Sequence, residues 1–301
     1  MEKVIKKKLR TKKPRAKAGV LLAVLLVLLV LYAFSLLLPF LWTLISSFKA
    51  RGDFRLHPFG LPEKWDYENY TKAFKRLYVE PSVGPERRIY LPQLLFNSLV
   101  YALGCAAVQV MTTCLVAYVV SKYRFKFNKV IYGIVIVTMI IPIVGSLPSE
   151  IKLAMDIGFY DNIFGIFVMR MNFLGMNFLI FYAIFKSVPW DYAEAGFIDG
   201  ASHFRVMAQI MLPLVVPTML VVGLLAFIGY WNDYYIPMIY LPSMPTAAYG
   251  LYLYQWSSDT SISSVPMQLA ACMIVMIPIL ALFLLFKNKI IGNIAIGGIK
   301  G

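Results

Sequence analysis

The stretch AGVLLAVLLVLLVLYAFSLLLPFLWTLISSF, Ala18 to Phe48, contains no charged side chain. A helix needs about 20 apolar residues to cross a bilayer core of about 30 Å, so this run is long enough to span. Working outward, Leu91 to Ser121, Val130 to Ser149, Val206 to Asn232 and Thr260 to Phe286 are equally uncharged, and Asn162 to Phe185 is interrupted only by Arg170. Six spans are therefore expected, and the predicted fold class is all-α, a polytopic membrane protein. A secretory signal would also begin with a basic segment. The first run is roughly twice the length of such a signal's apolar region and ends without a small-residue cleavage site, so it reads as an uncleaved helix kinked at Pro39.

Composition agrees. Of 301 residues, 60% are hydrophobic and 15% charged, with a mean hydropathy of +0.71. Soluble domains are about 45–50% apolar and about 25% charged, so one buried core cannot absorb this excess. The net charge of +14 could suggest nucleic acid, but nine of the 29 Lys/Arg lie within residues 1–17 and most others flank the uncharged runs. That is the placement of topology signals and headgroup contacts, and it excludes a duplex-binding face. Cys105, Cys114 and Cys272 all fall inside apolar runs, without metal-ligand spacing, and read as small buried hydrophobes.

With the N-terminus inside, the cytoplasmic segments 1–17, 122–129, 186–209 and 287–301 hold 18 Lys/Arg, against 10 in the outer segments 49–92, 149–161 and 239–264. Both termini are expected in the cytoplasm. The chain then divides into a basic N-terminus (1–17), a first helix (18–48), an outer loop (49–92), a five-helix core (93–286) with a cytoplasmic loop at 186–209, and a tail (287–301). The outer loop mixes five prolines with Trp65-Asp66-Tyr67-Glu68-Asn69-Tyr70. It reads as an ordered cap with a short helix near 66–77.

Catalytic chemistry is missing. His57 and His203 fall on opposite sides of the membrane in this topology, and no HExxH, CxxC or aspartate-rich motif occurs. Without a Gly-Lys dipeptide there is no P-loop. No catalytic or metal residue is assigned, and the chain is not expected to be an enzyme. Ion-coupled carriers place carboxylates near the midplane, whereas here only Arg170 and Asp233 are charged near the spans, with Asp233 toward the outer surface.

The short 186–209 loop is unusual. Pro189 suits the first turn of a helix and Asp191 its positive end. Asp199-Gly200 reads as a stop, with Gly200 left-handed, and Ser202 as the N-cap of a second helix. Ala193, Ala195 and Gly196 carry little bulk, and Glu194 is a lone carboxylate on the first helix. By pattern alone this is either a docking elbow for a partner or an amphipathic helix resting on lipid headgroups.

Glu194-Ala195-Gly196, Gly200 and Ile210-Met211-Leu212-Pro213 resemble the E-A-A-x3-G-x9-I-x-L-P loop of membrane subunits of binding-protein-dependent ABC importers. Gly196 stands where that family usually has Ala. Ile198-Asp199-Gly200-Ala201-Ser202 and Pro217 are similar to the sugar-importer version. So are Trp231-Asn232-Asp233-Tyr234 with Pro237, Gly250-Leu251, Ala270-Ala271, Pro278 and the ending Gly297-Gly298-Ile299-Lys300-Gly301, which resembles the tail of MalG-like permeases of the carbohydrate-uptake class.

The resemblance implies a type I ABC importer permease in the cytoplasmic (inner) membrane. Its implied partners are a second, MalF-like permease, an ABC ATPase dimer and an extracytoplasmic sugar-binding protein. No cofactor is bound by this chain; ATP and Mg are used by the ATPase. The loop becomes a coupling helix, with Glu194 bonding the ATPase, Ala195 and Gly196 packing in its cleft, and Asp199, Gly200 and Ala201 forming the turn. Lys300 and Gly301 would reach the ATPase interface or else form a solvated tail. The outer-loop aromatics Tyr249, Tyr252, Tyr254 and Trp256 would form an interfacial belt or face a partner. Gln109, Arg170, Asn172, Asn177 and Asp233 are the polar candidates for the translocation path, or simply interhelical bonds. Two other readings stay open: a permease for a non-sugar solute, and a carrier working alone.

Overall fold

The computed structural model describes residues 16–81, 83, 87–141, 144–256 and 264–297. The first run becomes α1 (Ala16–Ser46), with Pro39 inside it. The helix continues past the proline to Ser46, and the Thr43 hydroxyl donates back to the Pro39 carbonyl at 2.8 Å. The large apolar side chains from Val20 to Leu38 are exposed. Among the described residues of α1, burial begins at Phe40.

The cap follows as α2 (Arg51–Leu56) and α3 (Glu68–Arg76). Then β1 (Tyr78–Val79) pairs antiparallel with β2 (Ile89–Tyr90), a small exception to the all-α expectation. Asn69 clamps the cap to α1: its amide donates to the carbonyls of Ser47 and Lys49, each at 2.9 Å. Ser47 and Tyr70 hydroxyls bond at 2.7 Å. Lys49 is fully buried, with its ammonium on the His57 carbonyl at 2.5 Å. A buried charge is tolerated when it is hydrogen-bonded.

α4 (Leu91–Lys122) is the central helix. α5 (Asn128–Ile140), α6 (Leu147–Asp156), α7 (Ile163–Met169) and α8 (Met176–Ser187) follow. α9 (Asp191–Ile198) and α10 (His203–Val206) lead through a π-helical turn, Met207–Met211, into α11 (Leu212–Trp231). α12 (Tyr235–Tyr240), α13 (Ala247–Tyr254) and α14 (Val265–Gly297) complete the chain. α4 packs chiefly against α8 and α11. Gly104 permits a close approach on another face: a Cβ there would lie 2.1 Å from the ring of Phe167 on α7.

Among the described residues, four helices are long and apolar enough to cross a membrane: Val20–Ser46, Leu91–Lys122, His203–Trp231 and Val265–Lys287. The expected third and fourth spans are shorter. α5 has 13 residues and α8 has 12, or about 20 and 18 Å at 1.5 Å per residue. Ile141, which precedes a proline in sequence, is extended at ψ 113° and ends α5. The run 162–185 breaks in two: α7, N-capped by Asn162 through the amides of Phe164 and Gly165, ends at Met169, and Gly175 at φ +122° starts α8 afresh. The last helix runs beyond residue 286, where its span was expected to end, to Gly297.

Candidate functional site

The 186–209 loop folds as two helices at right-handed pitch joined by one left-handed residue. Gly200 has φ +80°. Its amide donates to Phe197 and that of Ala201 to Gly196, at 3.0 and 2.9 Å. These bonds satisfy the last carbonyls of α9, as a left-handed C-cap does. Ser202 caps α10 by accepting from the Arg205 amide at 3.3 Å. Pro189 lies just outside α9, whose N-cap is Trp190.

Two small residues of α9 turn inward. Ala193 and Gly196 are buried. A Cβ on Gly196 would meet Ile210 Cδ1 at 2.6 Å and Val206 Cγ2 at 3.1 Å. Its missing side chain serves the contact between α9 and the chain entering α11. Glu194, Ala195, Asp199 and Tyr192 face outward, joined by Ile198 at 85% and Phe204 at 73% exposure. Gly200 is exposed and Ala201 half-buried at the turn. The outer face therefore combines the large apolar side chains of Ile198 and Phe204 with the carboxylates of Asp191, Glu194 and Asp199.

This elbow is fastened to the membrane helices by Tyr123, a residue that sequence reading missed. Its hydroxyl bonds His203 Nδ1 at 3.2 Å, while its ring meets Trp190 and Tyr118 edge-on, both at 5.8 Å. Phe197 packs on His203 at 4.7 Å. Lys122, at the end of α4, donates to the Val188 carbonyl just before α9. The signal available in sequence was an aromatic at the α4 exit and a histidine at the elbow, but nothing local pairs them.

The polar path candidates separate into groups. Arg170 and Asp233 are brought to one place by two tyrosines that sequence reading did not single out. Tyr101 donates to Asp233 Oδ2 at 2.8 Å and meets the Tyr230 ring edge-on at 5.9 Å. Arg170 Cζ lies 5.8 Å from the centre of the Tyr230 ring. Among the described residues the buried Nε of Arg170 meets no hydrogen-bond partner. Asn172 is nearby in sequence but bonds elsewhere, its carbonyl accepting from Thr113 at 3.2 Å and its side chain from the Leu174 amide at 2.8 Å. Gln109 and Asn177 are half-buried and take no part in the Arg170–Asp233 cluster.

Of the outer-loop aromatics, Tyr249 and Tyr254 are buried in the core shared by the cap and α4. Tyr252 stacks on Tyr234 at 4.3 Å, and Trp256 is 72% exposed. Lys300 and Gly301 lie outside the described residues. Among the described residues no cluster of His, Cys, Asp and Glu could hold a metal ion.

Comparison with known proteins places this geometry in context. A family model described as "Binding-protein-dependent transport system inner membrane component" matches residues 109–290. The chain is 26% identical over 278 residues to the diacetylchitobiose uptake system permease protein NgcG of Streptomyces coelicolor, covering 90% of this chain and 86% of that protein. It is 28% identical over 274 residues to the maltodextrin transport system permease protein MdxG of Bacillus subtilis, covering 91% and 94%. Among solved structures, a chain of a bacterial ABC transporter involved in import of the acidic polysaccharide alginate superposes with a TM-score of 0.74. That match has 21% identity and covers 92% of this chain and 99% of the other, a likeness of fold.

Proposed function

The chain belongs to the family of binding-protein-dependent transport system inner membrane components, and from that premise we propose that it is the permease subunit of an ATP-driven importer carrying a sugar or oligosaccharide. It is a multi-pass membrane protein and not itself an enzyme. The cargo class is supported by relatives along nearly the whole chain whose names specify diacetylchitobiose and maltodextrin.

The observation that carries the mechanism is the α9–α10 elbow. Its outer face presents Glu194, Asp199, Ile198 and Phe204, while its inner face is bolted to α4 through Tyr123 and Lys122. Such a unit moves as a rigid body, so a displacement of α9 is passed to α4 and α11. An ATPase dimer, using ATP and Mg, docks on that outer face, with Glu194 and Asp199 meeting its hydrogen-bond donors and Ala195 beside them. Gly200 and Ala201 hold the turn, and Lys300-Gly301 extends toward the same partner.

In this reading α5 and α8, lengthened by the segments that follow or precede them, also cross the membrane. That makes six passes with both termini and the elbow in the cytoplasm, a reading supported by the Lys/Arg distribution. A second permease completes the pathway. The long face of α1 left uncovered by the rest of the chain is available to it or to lipid. An extracytoplasmic sugar-binding protein meets the cap. Arg170 and Asp233, with Tyr101 and Tyr230, line or gate the path; Gln109, Asn172 and Asn177 lie along it.

The test is a mild-detergent pull-down of the tagged chain from native membranes, with identification of the co-purifying subunits. A second multi-span permease together with a P-loop ATPase is the expected result. A stable particle holding this chain alone would revive the carrier reading.

A further inference from the structure

A cavity of about 900 Å³ opens where the end of α4, the start of α5 and the end of α8 converge beside the elbow. Four cations line it, Lys122, Arg124, Lys129 and Lys186, and no acidic residue does. Among the described residues no carboxylate pairs with any of the four. Lys122 is engaged with the Val188 carbonyl and Lys186 lies over the Tyr182 ring at 5.6 Å. Arg124 and Lys129 are exposed. Gathering like charges without a counterion is unfavourable, and an anionic ligand relieves it.

A second observation narrows the ligand. Asn128 lines the same cavity and is held in place by its amide nitrogen, which donates to the Tyr123 carbonyl. The cations call for an acceptor, and a phosphodiester supplies it. Tyr132, Tyr182 and Trp190 complete the wall. Tyrosine, tryptophan and basic residues at the ends of apolar helices mark headgroup depth, and basic pockets between membrane helices on the cytoplasmic side take anionic headgroups.

We propose that this cavity binds the headgroup of an anionic glycerophospholipid of the cytoplasmic leaflet, its phosphate on Arg124, Lys129 and Lys186. The placement in that leaflet rests on the orientation proposed above. Phosphate chemistry could also arrive from a soluble phosphomonoester, and the experiment separates the two. The occupant bridges the ends of α4, α5 and α8 at the root of the elbow, so it would stiffen the part of the chain that α9 must move.

The test uses the intact complex purified with its partner subunits, exchanged into mixtures of phosphatidylglycerol and phosphatidylcholine. Bound lipid is counted by native mass spectrometry. Wild type is expected to retain phosphatidylglycerol over phosphatidylcholine. Lys129→Ala should lower that retention roughly fivefold, the loss expected for one interfacial cation. Lys129→Arg should restore it. Lys126→Ala, on the same loop but outside the cavity, should leave it unchanged.

Equal losses in Lys126→Ala and Lys129→Ala would mean diffuse attraction and would overturn the site. Displacement of the lipid by soluble glycerol phosphate would overturn the lipid as its natural occupant. Retention seen only after removal of the ATPase would assign the cavity to the subunit interface, and the proposal would fail. The readout is bound lipid, so intact retention in a complex that takes up no sugar would count against the importer reading and not against this site.

Discussion

Gly196 and Ile210 are in such close contact that a Cβ on the glycine would lie 2.6 Å from Ile210 Cδ1. This contact sets the angle between α9 and the chain that becomes α11. In the proposed mechanism the elbow acts as a lever only while that angle is held.

Two effects oppose each other at this position. Alanine improves helix propensity by about 1 kcal/mol, while overpacking costs about 1–3 kcal/mol. The blocking atom is the end of a flexible side chain, so Gly196→Ala is expected to change stability by no more than about 1–2 kcal/mol and to keep uptake. Gly196→Leu cannot be accommodated and should abolish uptake at normal membrane abundance. Thermal unfolding in detergent and an uptake assay would check both; full uptake in the leucine variant would refute the lever.

Glu194 is exposed on α9, so Glu194→Lys should shift stability by less than about 0.5 kcal/mol. The expected effect is on assembly: reduced co-purification of the ATPase with unchanged insertion. Unimpaired uptake by this variant would count heavily against the docking role.

Tyr101→Phe removes the 2.8 Å hydrogen bond to Asp233 while keeping the ring on Tyr230. A hydrogen bond to a charged group contributes about 1.5–3 kcal/mol, and a fall in melting temperature of corresponding size is expected. An unchanged melt would show that Asp233 finds another donor.

Asn69→Ala deletes two bonds, to the carbonyls of Ser47 and Lys49. The expected loss is about 1–3 kcal/mol, since those buried carbonyls lose their donor. Limited proteolysis from the cap side should then cut within 50–66 faster than in wild type.

Much of the fold was legible because its signals are local. The uncharged runs located α1, α4, α11 and α14. Gly200 and Ser202 marked the elbow's turn and second cap, and both adopt the expected geometry. The run 162–185 misled because hydropathy does not register Asn162 as a cap or Gly175 as a break within an apolar stretch. The small size of Gly196 implied a close approach, and within this chain the surfaces that approach it are Ile210 and Val206.

Composition and spacing, read along the chain, determined the membrane class, the four long spans, the absence of a P-loop and the position of the elbow. Each depends on residues within a few helical turns of one another. Only the tertiary structure decided which face of α9 is outward, that Tyr123 holds His203, and that Tyr101 reaches Asp233 from 132 positions away. It alone gathered Lys122, Arg124, Lys129 and Lys186 around one cavity. The physical reason is that helix periodicity presents every side chain on some face, and which neighbour covers that face is settled by packing between segments distant in sequence.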